Sequence, residues 1–255
     1  MGILDKFKLD GKTALVTGAS SGLGQAMAIA LAEAGANVAC HGNRAGGADS
    51  TCEQISELGR KSFAVYGDMF ERDVPQSLVE EVVNRFGKID ILINNAGTIR
   101  RTPAAEYSEE DWTTVLEINL SSVFRLSQAA GKRMIEQRSG KIINIASLLS
   151  FQGGITVPAY TAAKSGLAGL TKALANEWAK FNVNVNAVAP GYMATNNTAP
   201  LRADETRNRQ ILERIPAGRW GEPEDLQGAA VFLASPASDY LQGHILVVDG
   251  GWMAR

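Results

Sequence analysis

The segment "IDILINN" at 89–95 is apolar at most positions in a row, not at every second one. A strand can carry such a run when both of its faces are buried, which calls for helices above and below a parallel sheet. The signature recurs in "TALVT" (13–17), "NVACH" (37–41), "SFAVYG" (62–67), "IDILINNAG" (89–97), "KIINIAS" (141–147), "VNVNAVAPG" (183–191) and "HILVVDGG" (244–251). Helical patterns lie between them, at about 23–34, 46–58, 74–86, 109–137, 158–180, 204–213 and 223–234. Strands alternating with helices through right-handed crossovers predict a doubly wound α/β sheet of seven parallel strands.

No linker or shift of composition divides the 255 residues, so a single domain of the Rossmann type is expected over 1–255. One stretch, 190–222, reads as a long irregular connection after the sixth strand, and a lid over a ligand is the expectation for it. Hydrophobic residues make up 45% and charged residues 20%, with a formal net charge of −2, the profile of a soluble globular chain. No cluster of Lys and Arg exceeds the pair Arg100-Arg101, which argues against a nucleic-acid partner. No run approaches the roughly 18 apolar residues of a membrane span, and the N-terminal residues lack the layout of a signal peptide. Cys40 and Cys52 form no disulfide framework and fit a reducing cytoplasm; with His41 and His244 far apart, no metal site is expected.

In an open parallel sheet, ligands bind beyond the carboxyl ends of the strands. "TGASSGLG" (17–24) stands there, between the first strand and the first helix. Gly18, Gly22 and Gly24 let the backbone turn tightly, so that Ser20, Ser21 and Leu23 present the helix N-terminus to a pyrophosphate. This predicts a dinucleotide, NAD or NADP. An acid ending the second strand would bond the ribose 2′-hydroxyl of NAD, but Gly42 occupies that place, followed by Asn43 and Arg44. Arg44 meets a 2′-phosphate or is a solvated surface charge, and the coenzyme choice stays open. Asp68 and Met69 end the third strand; Asp68 suits an adenine amino group or a helix cap. Asn94, Asn95, Ala96 and Gly97 end the fourth, where asparagines can tie loops to the sheet and Gly97 admits a cofactor.

"PAYTAAKSG" (158–166) sets Tyr160 one helical turn before Lys164 among small residues. Side chains four apart are neighbours, about 5–6 Å between Cβ atoms, and an ammonium so close favours tyrosinate over phenol. Lowering a tyrosine from a pKa near 10 to about 7 takes roughly 4 kcal/mol. With Ser147 ending the fifth strand, the pair reads as a tuned proton donor and acceptor.

Taken in order, Gly18-x-x-x-Gly22-x-Gly24, Asn94-Asn95-Ala96-Gly97, Asn119, Ser147, Tyr160-x-x-x-Lys164 and Pro190-Gly191 resemble the motifs of the short-chain dehydrogenase/reductase family along the whole chain. The resemblance implies Tyr160 as general acid–base and Ser147 as the group that polarises the substrate oxygen. It implies that Lys164 holds the nicotinamide ribose and lowers the Tyr160 pKa, and that Asn119 anchors a water in a proton relay. Pro190, Gly191, Met193 and Thr195 would line the cofactor side, and homotetramers would form through the two long helices and the last strand. Within the family, "IRR" (99–101), "ILERIPAGRWGEPEDL" (211–226) and "VDGGWMAR" (248–255) resemble the branch that acts on small sugar acids of uronate breakdown, the 2-deoxy-D-gluconate 3-dehydrogenases. That branch is also called 2-dehydro-3-deoxy-D-gluconate 5-dehydrogenase. Gluconate 5-dehydrogenases and 3-oxoacyl carrier-protein reductases share the same catalytic set, and a dinucleotide sensor without turnover is the alternative of another class. A sugar acid needs a cation, for which Arg100, Arg101 and Arg219 are the candidates, with Gln152 and Met193 toward the sugar hydroxyls and pocket wall.

Overall fold

The computed structural model describes residues 2–255. Its strands are β1 (Thr13–Val16), β2 (Asn37–Gly42), β3 (Ser62–Tyr66), β4 (Ile91–Asn94), β5 (Gly140–Ile145), β6 (Val183–Pro190) and β7 (Ile245–Val248). They form one seven-stranded sheet in the order β3-β2-β1-β4-β5-β6-β7, and every pairing is parallel. The order reverses between β1 and β4. The crossovers leave toward opposite faces at that point, which opens a crevice at the carboxyl edge.

The α-helices are α1 (Gly22–Glu33), α2 (Asp49–Glu57), α3 (Val74–Phe86), α4 (Glu109–Leu116), α5 (Ser122–Gln137), α6 (Pro158–Trp178), α7 (Ala199–Ala203), α8 (Glu205–Arg214) and α9 (Gln227–Ala234). Alternate residues of the same strand feed different cores. Ala14 and Val16 of β1 join Met27 and Leu31 of α1 and Leu233 of α9 on one face. Leu15 joins Leu78 and Val82 of α3, Leu126 of α5 and Leu174 of α6 on the other. This explains the continuous apolar runs: side chains alternate across the pleat, and both sides are dry.

Polar groups inside this sandwich tie helices to strands. Asn94 Nδ2 donates to Ser127 Oγ (3.0 Å) and to Asn144 Oδ1 (2.8 Å), and Asn144 Nδ2 donates to Thr171 Oγ1 (2.9 Å). The chain of bonds runs from β4 through β5 to α5 and α6, and all four side chains are buried. It fixes α6 against the sheet at a set height, which positions every side chain on its first turns.

Two expectations need correction. The stretch 109–137 is not one continuous α-helix: a π-turn at Glu117–Ser121 separates α4 from α5. The Asn119 side-chain amide takes the Val115 carbonyl (2.9 Å), the acceptor that a regular i→i−4 backbone bond would use. The region 190–222 is also more regular than expected. After β6 it forms a short 3₁₀ turn (Asn196–Thr198), then α7 and α8, the latter capped by Asp204, whose carboxylate accepts the Arg207 N–H at 3.0 Å. Its ends are zipped by Ala194 N–H to Gly221 O (2.7 Å) and Gly221 N–H to Tyr192 O (2.9 Å).

Replacing Asn144 by Ala takes one buried partner each from Asn94 and Thr171, both on the α5–α6 face of the sheet. We expect a loss of about 2–4 kcal/mol in urea unfolding at constant m-value, of the order set by two orphaned buried groups. A change below about 0.5 kcal/mol, the range of ordinary surface substitutions, would contradict the role given to this network.

Candidate active site

A cavity of about 1120 Å³ opens at the crevice. One end is built by the turn between β1 and α1. A Cβ on Gly24 would collide with the Gly18 carbonyl oxygen, and one on Gly18 would lie 2.9 Å from Asn95 Nδ2. The turn therefore closes only without side chains at these two places. Asn95 Nδ2 donates to the carbonyls of Thr17 (2.9 Å) and Gly18 (3.1 Å), and Thr17 Oγ1 accepts the N–H groups of Asn95 (2.9 Å) and Ala96 (3.0 Å). From the other side, His41 Nδ1 accepts the Gly18 N–H (3.2 Å) while Nε2 faces the Gly67 carbonyl (2.9 Å). Burial pushes the His41 pKa down, so it stays a neutral clasp. Ser21, the residue before α1, makes no side-chain cap, and Ser21, Gly22, Leu23 and Gly24 line the cavity. The first-turn amides of a 12-residue helix thus face the cavity uncapped, a seat that fits the phosphates of a dinucleotide.

The other end holds the chemical side chains. Ser147 follows β5, and its Oγ accepts the Leu149 N–H (3.2 Å), which leaves its own proton free to donate. Ser150 Oγ donates to the Lys164 carbonyl (2.8 Å) and receives the Ser147 N–H (3.4 Å), tying this loop to α6. Tyr160 and Lys164 stand on the first turns of α6, which Pro158 opens. Lys164 is 4% exposed, and its Nζ donates to the Ile145 carbonyl at 2.7 Å. Burial without a carboxylate partner pushes its pKa down to about 8. Asn119 Nδ2 donates to the carbonyls of Thr98 (2.8 Å) and Val115 (2.9 Å), while its buried Oδ1 has no partner. An orphaned buried acceptor costs about 1–3 kcal/mol, so a proton donor such as water suits it.

The titration of Tyr160 differs from expectation. Burial raises its pKa, and the opposing influences are the Ser147 hydroxyl and the Arg101 charge, not Lys164. The Lys164 ammonium is drawn to the Ile145 carbonyl and lies 5.5 Å from the phenol ring centre. The protein's own groups therefore keep the phenol protonated at neutral pH.

Asn119, Ser147, Tyr160 and Lys164 all line the one cavity, as do Asn95, Ala96, Gly97, Pro190, Gly191 and Thr195. So do Arg101 and Gln152, the latter accepting the Trp252 indole N–H at 3.3 Å. Arg100, Arg219 and Met193 do not line this cavity. Arg100 turns away to Asp111 (3.3 Å), and Arg219 is clamped by both oxygens of Asp225 (2.6 and 2.8 Å). Met193 is buried in the core behind the cavity wall. The residues at the ends of β2 and β3 lie outside this cavity: Asn43, Arg44 and Asp68 are exposed, with Asp68 Oδ1 accepting the Phe70 N–H (2.9 Å). Ser20 Oγ sits over Gly42, and the Met69 side chain packs into the core, leaving its backbone for any ligand contact.

Arg202, Arg207, Arg214 and Trp252 were not foreseen and also line the cavity. The spacing of Arg207, Ile211 and Arg214 at i, i+4 and i+7 puts them on one face of α8, a signal that was present in the sequence. With Arg101 and Lys164, these arginines give the cavity five cationic side chains, and among the described residues no Asp or Glu lines it. Such a site attracts anions.

A family profile described as enoyl-(acyl carrier protein) reductase matches residues 18–253. The chain is 57% identical over 254 residues to the 2-dehydro-3-deoxy-D-gluconate 5-dehydrogenase of Escherichia coli (strain K12), covering 99% of this chain and 100% of that protein. It is 56% identical, with the same coverage, to the protein of the same name from Dickeya dadantii (strain 3937). Its fold is similar to the crystal structure of a gluconate 5-dehydrogenase from Burkholderia cenocepacia J2315 in complex with NADP and tartrate. There the TM-score is 0.96, the identity 38%, and 100% of each chain is covered.

Lys164 supplies the prediction. Its pKa is about 8 in the folded chain and near 10.4 when unfolded, so the unfolded chain binds the extra proton between those values and stability rises with pH across that window. Relative to Lys164→Met, the unfolding free energy of the wild type should climb by on the order of 3 kcal/mol from pH 8 to pH 10.5. Parallel pH profiles for the two proteins would show that the ammonium is not held at this cost.

Proposed function

The chain belongs to the short-chain dehydrogenase/reductase family, and from that premise we propose that it interconverts a secondary alcohol and a ketone on a small sugar acid. The enzyme is an NAD(P)-dependent dehydrogenase acting on CH–OH groups. The substrate we favour is 2-deoxy-D-gluconate or 2-dehydro-3-deoxy-D-gluconate, the latter as in the relatives from Dickeya dadantii and Escherichia coli. One observation carries the reading: Ser147 and Tyr160 meet in a cavity whose charged lining is wholly cationic.

The glycine turn and the α1 N-terminus would hold the pyrophosphate, Asn95, Ala96 and Gly97 would pass beneath the cofactor, and Pro190, Gly191 and Thr195 would flank its nicotinamide. When bound, the dinucleotide supplies the hydride donor or acceptor. β2 ends on Gly42 with exposed Asn43 and Arg44, so a 2′-phosphate meets no carboxylate there, and NADP is tolerated as well as NAD.

The chain's own groups then handle the proton. Tyr160 Oη gives its proton to the carbonyl oxygen during reduction and takes it back during oxidation. Ser147 Oγ donates a hydrogen bond to the same oxygen, since its lone pair is already engaged by Leu149. Lys164 keeps N–H groups free beyond the Ile145 bond and would hold the nicotinamide ribose. A water on the orphaned Asn119 Oδ1 would connect Lys164 with solvent. Because the phenol is protonated at neutral pH, ketone reduction finds Tyr160 in its working form, while alcohol oxidation speeds up as pH rises.

The homotetramer we propose is built through the helical stretches 109–137 and 158–180 and the last strand; exposed Trp112 and Phe124 on the first stretch and the open edge of β7 support it. The stretch 190–222, with α7 and α8 inside it, would act as the lid of the site. A cytoplasmic location agrees with two free thiols, and among the described residues no helix is long and apolar enough to cross a membrane.

Tyr160→Phe tests the mechanism. It should retain the circular dichroism spectrum and NADPH binding while kcat with a sugar acid falls roughly a thousandfold, within the range that general acid–base catalysis contributes. Turnover within tenfold of the wild type would remove Tyr160 from the chemistry.

A further inference from the structure

Of the arginines that line the cavity, three sit on the α7–α8 wall and are held differently. Arg202 Nη2 donates to the Thr195 carbonyl (3.1 Å), and Arg207 Nη1 donates to Gln210 Oε1 (2.9 Å). Arg214 makes no ion pair and no side-chain hydrogen bond among the described residues; its guanidinium lies 4.0 Å from the centre of the Trp252 ring. Stacking fixes the plane of the group and leaves its N–H edge unspent.

The indole beneath it is rigid. Trp252 is 5% exposed, its N–H is given to Gln152 Oε1 (3.3 Å), and it packs against Tyr192 with 4.6 Å between ring centres. Tyr192 in turn meets Trp220 edge-on at 5.6 Å, and the Trp220 N–H is fixed by Asn208 Oδ1 at 2.7 Å. The aromatic platform thus joins α8, the turn after β6, the C-terminal segment and, through Gln152, the loop after β5. Gln152 and Arg214 both line the cavity, and among the described residues the Gln152 side-chain NH₂ has no acceptor while its Oε1 takes the Trp252 N–H. An exposed planar fork stacked on a fixed indole, with the Gln152 amide bonded to the same indole, matches a carboxylate with an oxygen substituent close by.

Arg101 is placed for a different task. It lines the same cavity as Tyr160 and donates to the Asn197 carbonyl (3.2 Å), so part of its fork is already spent. In 2-dehydro-3-deoxy-D-gluconate the carboxylate is carbon 1, the oxygen on carbon 2 is its neighbour, and the hydroxyl that a 5-dehydrogenase acts on is three carbons further along. We propose that Arg214 is the residue that seats the substrate carboxylate, with the Gln152 amide donating to the neighbouring oxygen and Trp252 acting as the positioning residue for both. This rests on the sugar-acid reading above and names the groups that determine it.

The experiment compares 2-dehydro-3-deoxy-D-gluconate with its neutral analogue, which carries CH₂OH in place of the carboxylate, in steady-state assays with NADP and NAD. The wild type should prefer the acid. Arg214→Gln should raise the KM for the acid about tenfold or more, as expected for a lost charge-assisted pair, with kcat changed far less, and should largely erase the preference. Arg214→Lys, which keeps the charge and loses the fork, should recover part of it. Trp252→Phe keeps a ring under the guanidinium but drops the bond to Gln152, and should raise the KM for the acid by a smaller factor. Thermal unfolding and NADPH binding check that each variant is folded. Acid preference that survives Arg214→Gln intact overturns the assignment while leaving the sugar-acid reading in place. A wild type without acid preference overturns that reading and the assignment with it.

Discussion

A lysine ammonium kept in the dry interior by one backbone carbonyl is the interaction on which the site depends. The bond from Lys164 Nζ to Ile145 O joins the first turns of α6 to the end of β5. Ser150 doubles the link by bonding the Lys164 carbonyl and the Ser147 N–H. Together they make the separation of Ser147, Tyr160 and Lys164 a property of the sheet, not of mobile loops. Holding the charge there disfavours the folded state by on the order of 3 kcal/mol, as its lowered pKa states. A chain selected for stability alone would place an apolar residue at this position.

Much of the architecture could be read directly from the residues because burial on two faces leaves a plain imprint. Runs such as 89–97 and 183–191 are mostly apolar on both faces, their few polar side chains such as Asn94, Asn184 and Asn186 are buried, and the strands fall where those runs lie. The glycine turn was equally legible, since a collision with the Gly18 carbonyl forbids any side chain at Gly24. Asn94 and Asn95 looked like ties between loop and sheet and are ties, although Asn94 binds inward to Asn144 and Asn95 outward to the turn.

What escaped the sequence reading depends on partners distant in the chain or on the direction of a side chain. Arg219 and Arg214 are five residues apart and alike in composition of their surroundings. Only the fold brings Asp225 onto one and Trp252 beneath the other. Arg100 is taken by Asp111 in the same way. The spacing of Tyr160 and Lys164 showed that they are neighbours but not that the ammonium turns to a strand carbonyl, so the sign of the Tyr160 shift was not available from it. The π-turn at Asn119 was hidden for a similar reason, since a side-chain amide competing for a helix carbonyl leaves no mark on apolar periodicity.

The cavity combines the glycine turn proposed to seat phosphate, the Ser147 and Tyr160 hydroxyls proposed for a carbonyl oxygen and a lining of cations, and these three features would together select an anionic substrate for hydride exchange. A crystal structure of the ternary complex with NADP and 2-deoxy-D-gluconate tests this most directly. The account predicts Tyr160 Oη and Ser147 Oγ both within hydrogen-bond distance of one substrate oxygen, with the carboxylate directed to the arginine wall. A complex in which the phenol faces away from the sugar, or in which the carboxylate points to solvent, would contradict it.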